Sequence, residues 1–349
     1  MIDIKSVVLP PENEIIDRWN SEDVVVSVVC TTFNHEQYIE NAIIGFLMQV
    51  TDFAFEIIIH DDASADGTAG IIKKYQELYP NIIKPIFQEE NQYSKGGFKP
   101  IPYASKFARG KYIALCEGDD YWCAHNKLQC QKDALQASDN DICFTSGFYL
   151  INDQLSSVHE YFNKRTIVSL EDVVIRGGGY MITASLFIRA EILHNLPDWF
   201  YENAPVGDVF IEIFGSLRSG ALFLPEKTVV YRQFVTDSWS SNQFNIPCHV
   251  ELKRLSDFQL CFEYLNKDFG VDKDSIQEAL SREYFLSSLK FVVRDFLFSR
   301  FLLLKSLKIS NRKYLLRYLY YFSFNEFLAE KLEWVLNLYR DMKKYIRKA

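Results

Sequence analysis

Over the first 120 positions, unbroken apolar runs alternate with amphipathic stretches. Val24–Cys30 is apolar apart from Ser27. Such a run, apolar on both faces, predicts a buried central strand of a parallel sheet. Thr31-Thr32-Phe33-Asn34 breaks it, and the spacing from about Glu36 to Gln49 predicts a helix. Phe55–His60 predicts a second strand, which ends in the turn-rich Asp61-Asp62-Ala63-Ser64-Ala65-Asp66-Gly67-Thr68. Asp66 is the expected N-cap of a helix running to about Leu78. Ile82–Phe87 predicts a third strand, followed by a polar loop from Gln88 to Gly97. Residues 101–109 predict a helix closed by Gly110 at a C′ position. Residues 111–116 predict a fourth strand. Strands and helices alternating at this spacing predict βαβ units, and right-handed crossovers bring the ends after residues 30, 60 and 116 to one edge.

Beyond residue 123 the pattern loosens. Asn126–Ala137 predicts a helix, Asp141–Ile151 a strand, Gly177-Gly178-Gly179 a loop and Ala184–Arg189 a strand. A helix opens at Gly207-Asp208 and runs to about Leu217, and Ala221–Leu224 and Thr228–Tyr231 predict two late strands. From about Cys248 onward the pattern is mainly helical, with Phe291–Ser306 and Tyr314–Tyr345 rich in Leu, Phe, Tyr and basic residues. The expected class is α/β with a mostly parallel sheet and a C-terminal helical region. Residues 1–240 are the expected α/β domain, divided into halves at 24–122 and 123–240, and 241–349 the helical region.

Composition narrows this picture. Of 349 residues, 48% are hydrophobic, which supports a sizeable core. The net charge of −8 argues against a general nucleic-acid binder. The charge is uneven: residues 284–349 hold 14 Lys or Arg against 5 Asp or Glu, a net +9, which leaves −17 on residues 1–283. A basic, aromatic tail on an acidic body suggests an anionic surface as its partner. The seven cysteines lack the spacing of a zinc site and are expected to be reduced thiols. Met1–Lys5 has no basic start leading into an apolar core, so no secretory signal is expected. No run reaches the ~18 uncharged apolar residues of a membrane span. The expected location is cytoplasmic.

The candidate chemistry sits at three strand ends: Thr31–Asn34, Asp61–Asp62 and Glu117–Asp120. Strand C-termini at one sheet edge are where open α/β folds bind ligands. Carboxylates crowded there repel each other unless a cation joins them. Hard oxygen donors suit Mg²⁺ or Mn²⁺ sharing coordination with phosphate oxygens, so a metal-bridged diphosphate rationalises the set. No glycine-rich phosphate cradle follows the first strand, which leaves out a dinucleotide fingerprint and a P-loop.

Three segments carry a family resemblance: Val26–Asn34 followed by Tyr38-Ile39, then Glu56–Thr68, then Gly110–Trp122. In this order and spacing they resemble the family 2 glycosyltransferases of the GT-A fold, over roughly residues 24–235. The resemblance implies a nucleotide-diphosphate sugar donor, a glycan or lipid-linked saccharide acceptor and usually inversion at the anomeric carbon. It implies that Thr31 and Phe33 line the base and ribose, that Asp61 or Asp62 contacts the base, and that Asp119 and Asp120 hold the metal and diphosphate. It places the general base at Asp208; Gly-Asp before an apolar helix is also a capping signature. Two positions depart from the family pattern. Phe234 stands where a histidine often joins the metal, and Thr31 stands where proline is usual.

Other residues have plainer expectations. Trp122 reads as a core anchor, His35 as a solvated loop histidine, and Thr183 and Ser185 as pocket or ordinary strand polarity. The tail, 284–349, reads as helices packed on the catalytic domain or as an interfacial pair at an anionic membrane. A nucleotidyltransferase would show a glycine-rich loop and a basic residue after the first strand, where Thr31–His35 stands. A non-catalytic scaffold would have little reason to hold Asp119, Asp120 and Asp208 together.

Overall fold

The computed structural model describes residues 3–178, 180–235, 246–291 and 294–309. They form two compact units. The first comprises residues 3–170, 181–202 and 207–235, and the second residues 171–178, 180, 203–206 and those from 246 onward.

The first unit is built on one mixed sheet. Its strands are β1 (Val24–Thr32), β2 (Ala54–Asp61), β3 (Ile83–Phe87), β4 (Tyr112–Glu117), β5 (Tyr121–Trp122), β6 (Ile142–Ile151), β7 (Gln154–His159), β8 (Thr166–Val168), β9 (Phe187–Arg189) and β10 (Ala221–Gln233). The order is β3-β2-β1-β4-β9-β6-β10-β5, with β7 beside β6 and β8 beside β10. β3, β2, β1 and β4 pair in parallel, as do β6 and β10, while β9 joins the two groups antiparallel to each. The β-branched runs therefore become central strands as expected, and β2 is buried along its whole length. The helices up to residue 216 are α1 (Glu12–Ile16), α2 (Ile39–Leu47), α3 (Thr68–Leu78), α4 (Pro100–Ser105), α5 (Lys127–Gln136), α6 (Leu170–Arg176), α7 (Ala190–His194), α8 (Asp198–Asn203) and α9 (Gly207–Ser216), of which α6 falls almost wholly in the second unit.

One core cluster packs Val26, Val28 and Cys30 of β1 and Phe55, Ile57 and Ile59 of β2 with Ile39, Ile43, Phe46 and Leu47 of α2. Trp122 belongs to this core. It is fully buried, and its Nε1 donates to the Ala184 carbonyl at 2.9 Å. On the other face of β1, the buried Glu56 carboxylate accepts from Ser27 Oγ at 2.7 Å and from the Arg109 amide at 2.9 Å, and pairs with the Arg109 guanidinium. A buried carboxylate is tolerated when it is bonded this fully.

Several local expectations need correction. The helix expected over 101–109 ends at Ser105, and Gly110 is not its cap. A Cβ at Gly110 would lie 2.6 Å from the Ser27 amide nitrogen, so glycine lets this segment lie against the backbone of β1. Helix α3 starts one residue after Gly67, and Asp66 reaches past that residue to accept from the Thr68 amide. The two expected late strands are one, because irregular register between Leu224 and Val229 carries Pro225-Glu226-Lys227 through without ending the strand. The strand expected from Ala184 begins as a 3-10 turn, Thr183–Ser185, and Ser185 is buried as part of the scaffold.

The second unit holds α10 (Cys248–Phe269), α11 (Lys273–Phe291) and α12 (Phe296–Ile309). The helix expected over Phe291–Ser306 is thus broken after Phe291. Buried Glu251 of α10 is bonded by Arg254 and by Ser287 and Lys290 of α11. The helix expected over Tyr314–Tyr345 lies outside the described residues. Among the described residues no helix is long and apolar enough to cross a membrane. All seven cysteines are free thiols.

Candidate active site

Register places the candidate residues side by side. Thr31 of β1 stands opposite His60 of β2 and Glu117 of β4, and Thr32 opposite Asp61. The three strand ends therefore share one edge, as the βαβ pattern requires.

The loops after β1 and β2 are laced together. Asn34, at φ +55°, donates its amide to Ser64 Oγ and accepts the Ala65 amide on Oδ1, both at 2.8 Å. Asn tolerates this left-handed conformation better than most residues. The Glu36 amide donates to Asp66 Oδ2, and Glu36 Oε2 accepts the Gly67 amide. Phe33 stays 42% exposed at the edge and Thr31 is half-buried, so both are open to a ligand. Asp61 and Asp62 are buried. Asp61 Oδ1 accepts from Ser64 Oγ at 2.5 Å. Burial raises the Asp61 carboxyl above its ordinary range, against the opposing effect of those Ser64 bonds. Asp62 Oδ1 and Oδ2 accept the Gln92 and Tyr93 amides.

The acidic turn after β4 is held from two sides. The Gly118 amide donates to the Thr31 carbonyl at 2.9 Å, and the Asp120 amide closes the turn on the Glu117 carbonyl at 3.0 Å. A Cβ at Gly118 would lie 2.6 Å from Thr32 Oγ1 and 3.0 Å from His35 Nδ1. From the other side comes Arg232 of β10. Its amide donates to Asp120 Oδ1 at 2.8 Å, and its Nη1 to the Asp119 carbonyl at 2.5 Å. Its guanidinium lies 5.0 Å from the Tyr38 ring centroid and 4.8 Å from that of Tyr121. The resemblance covers Tyr231-Arg232 only as the lead-in to Phe234 and gives Arg232 no role of its own. Two of its partners, Asp119 and Asp120, lie more than a hundred residues away, and a third, Asp153, pairs with its Nε at 3.0 Å.

The electrostatics follow from crowding. Asp120 is fully buried, and its Oδ2 has no hydrogen-bond partner. Burial first, then the Asp119 and Glu117 carboxylates, push Asp120 well above the usual carboxylate range, against the pull of Arg232. Burial, Asp119 and Asp208 push Glu117 up to about 8. Asp208 is the second residue of α9, and its Oδ1 accepts the Val209 amide at 2.8 Å. Its influence on Glu117 brings it to the same site from a distant part of the chain. His35 is less solvated than expected, with Nδ1 buried and unpartnered. Phe234 is 44% exposed at φ +60° and supplies no ligand atom.

The unpartnered Asp120 Oδ2 and the oxygen-only donor set of Asp119 and Asp120 suit a hard divalent cation. Among the described residues no three His, Cys, Asp or Glu side chains form a cage for one.

Comparisons with known proteins agree with this fold. Residues 27–194 match the profile of glycosyl transferase family 2. The uncharacterised protein Rv1520 of Mycobacterium tuberculosis is 32% identical over 222 residues, 62% of this chain and 61% of that protein. The chain thus spans about three fifths of the length of these curated relatives. The Escherichia coli enzyme WfgD, named a UDP-Glc:alpha-D-GlcNAc-diphosphoundecaprenol beta-1,3-glucosyltransferase, is 30% identical over 140 residues, 40% of this chain and 51% of WfgD. Among solved structures, S. aureus TarS superposes with a TM-score of 0.60 at 18% identity, over 83% of this chain and 50% of TarS. TarS residues 1–349 have been crystallised with UDP. The sheet is a GT-A-like fold with a helical C-terminal region, and residues 27–194 are a glycosyl transferase family 2 domain.

Proposed function

We propose that this protein transfers a sugar from a nucleoside-diphosphate donor to a hydroxyl of a glycan or lipid-linked saccharide, with inversion, in the assembly of a surface polysaccharide. One observation carries the proposal. The Asp208 carboxylate that opens α9 acts electrostatically on Glu117, at the head of the acidic turn after β4, although 91 positions separate the two. The family 2 match and the acceptor in the printed name of WfgD support it.

In this reading Thr31 and Phe33 line the base and ribose, with Asp61 and Asp62 forming the floor beside them. Asp119 and Asp120 hold a Mg²⁺ or Mn²⁺ ion, which when bound offsets charge on the departing diphosphate. Arg232 keeps the turn in place, so the carboxylates need not reorganise during the reaction. The Asp208 carboxylate, steadied by the Val209 amide on Oδ1, takes the proton of the acceptor hydroxyl as that oxygen attacks opposite the diphosphate.

The test is turnover of nucleotide sugars by the purified protein with Mn²⁺. Asp208→Asn should lower turnover by roughly 10²–10⁴-fold, the range of general-base catalysis, and keep nucleotide binding. Asp120→Asn should lose both. Near-normal turnover by Asp208→Asn would remove the base assignment. Cleavage of a nucleoside triphosphate with no sugar transfer would favour a nucleotidyltransferase, and binding without turnover a scaffold.

For the tail we propose peripheral contact with an anionic membrane on the cytoplasmic side. Of residues 284–349, the described part supplies one stripe of α12. Leu297 and Phe301, 75% and 44% exposed, lead into exposed Lys305 and Lys308 at helical spacing. Co-sedimentation of the full chain with phosphatidylglycerol vesicles should fall for Leu297→Asp/Phe301→Asp. Equal sedimentation of both proteins would count against the contact.

A further inference from the structure

Residues 88–99 join β3 to α4 beside the acidic turn, and they are stitched to the edge of the sheet. The Gln88 amide donates to the Asp61 carbonyl at 2.9 Å, and Gln88 Nε2 lies 3.1 Å from His60 Nε2. Asp62 turns both carboxylate oxygens on the loop. Oδ1 accepts the Gln92 amide at 2.9 Å and Oδ2 the Tyr93 amide at 3.0 Å. Asp62 is 3% exposed, and its own amide is tied to the Thr32 carbonyl at 3.1 Å. A buried carboxylate therefore caps the 3-10 turn Tyr93–Lys95 and fixes where its first residue stands. At the other end, Phe98 packs on the rings of His60 and Tyr103, with centroids 5.7 and 5.0 Å away.

Tyr93 leaves the clamped end with its side chain half in solvent, 54% exposed. Withdrawal from water, then the Asp208 carboxylate, then that of Glu117 raise its phenol above the ordinary range. Geometry ties the residue to the same place: the Tyr93 amide rests on Asp62, the Asp62 amide on the Thr32 carbonyl, and Thr32 lies against Gly118 of the acidic turn. A phenol there offers one donor, one acceptor and a flat apolar face. A pyranose presents the complementary set, hydroxyls to bond and C–H groups to cover.

We propose that Tyr93 contacts the sugar being transferred, and that Asp62 is the positioning residue that sets its place. The inference rests on the nucleotide-sugar reading above. It gives Asp62 a task that the base-contact role does not describe: both oxygens hold the loop, and the effect reaches the substrate through Tyr93. Selectivity for the sugar then lies in the 88–99 loop, apart from the carboxylates that carry the chemistry.

The test is calorimetric binding, with Mn²⁺, of UDP and GDP and of their glucose, N-acetylglucosamine and mannose conjugates. For the conjugate that the wild type binds, Tyr93→Phe should weaken affinity by about 10-fold, the size of one hydrogen bond, and leave the parent diphosphate within about twofold. Asp62→Asn, which loosens the loop, should also lower conjugate affinity, and its pair with Tyr93→Phe should cost little more than Tyr93→Phe alone. Unchanged conjugate binding by Tyr93→Phe overturns the proposal. An equal loss for conjugate and parent diphosphate overturns it too, since that marks a role in nucleotide binding or loop folding. A wild type that binds none of these nucleotides overturns the nucleotide-sugar reading and this inference with it, whereas normal wild-type binding with an unaffected variant overturns the inference alone.

Discussion

The acidic turn after β4 and the loop after β3 lie at the same sheet edge and are held in different ways. In the turn, the Gly118 and Asp120 amides are both used, Asp120 Oδ1 is bonded, and Arg232 reaches the Asp119 carbonyl. The loop is fixed at Gln88, at Asp62 and at Phe98, while Ser94–Gly97 stand exposed between these points. A group that stabilises developing charge works best when it does not reorganise, which favours the rigid turn. Selectivity among related sugars tolerates variation, which favours a loop on a fixed scaffold. Over a few residues the site thus separates what is common to the reaction from what distinguishes its substrates.

Substituting one glycine in each stretch tests this contrast directly, beginning with the larger effect. In Gly118→Ala the new Cβ would meet Thr32 Oγ1 at 2.6 Å and Thr32 Cβ at 2.7 Å. Thr32 is buried and β-branched, so it has little freedom to withdraw. Overpacking of this kind costs roughly 1–3 kcal/mol, and it displaces the turn. Gly118→Ala should therefore lower the denaturation midpoint and weaken Mn²⁺-dependent nucleotide binding together. In Gly97→Ala the new Cβ meets nothing within 4 Å, and only the φ of +74° opposes it. That costs about 1 kcal/mol and leaves the turn in place. Chemical denaturation and nucleotide titration of both variants decide the matter. If Gly97→Ala harms nucleotide binding as much as Gly118→Ala, the contrast between turn and loop is wrong.

The two stretches also differed in how far the sequence exposed them. The β-branched runs of β1, β2 and β4 and their acidic ends were legible because a strand buried on both faces needs a continuous apolar run, and the charges stand out where it stops. Asp208 was reached through the resemblance; nothing local ties it to Glu117. Arg232 and the Asp62 clamp were not legible, because each depends on a pairing between distant segments. Strands β7 and β8 were missed for a related reason. Most of β7 faces solvent and β8 has three residues, so neither has an apolar run to betray it. β10 was split in two because Pro225-Glu226-Lys227 reads as a turn, while the sheet passes it as an irregularity in register.

The smallest expected effect concerns the strand end that supports the turn. Phe234 lies two residues past Arg232, whose amide holds Asp120, and its ring is 44% exposed. Its φ of +60° is an uncommon conformation in which histidine is several-fold enriched over most residues. Phe234→His should therefore fold as well as the wild type, within about 0.5 kcal/mol, as surface substitutions usually do. A neutral imidazole beside two carboxylates adds a nitrogen ligand that suits Mn²⁺ less well than oxygen, so the gain in affinity should stay below about 10-fold. Electron paramagnetic resonance of Mn²⁺ in the presence of UDP reads this without any turnover. Tighter binding would show that the late strand can complete a cation's shell and that in this chain it contributes only the Arg232 brace. Unchanged binding with an intact fold would mean that residue 234 lies out of reach, so that the rigid half of the site ends at Arg232.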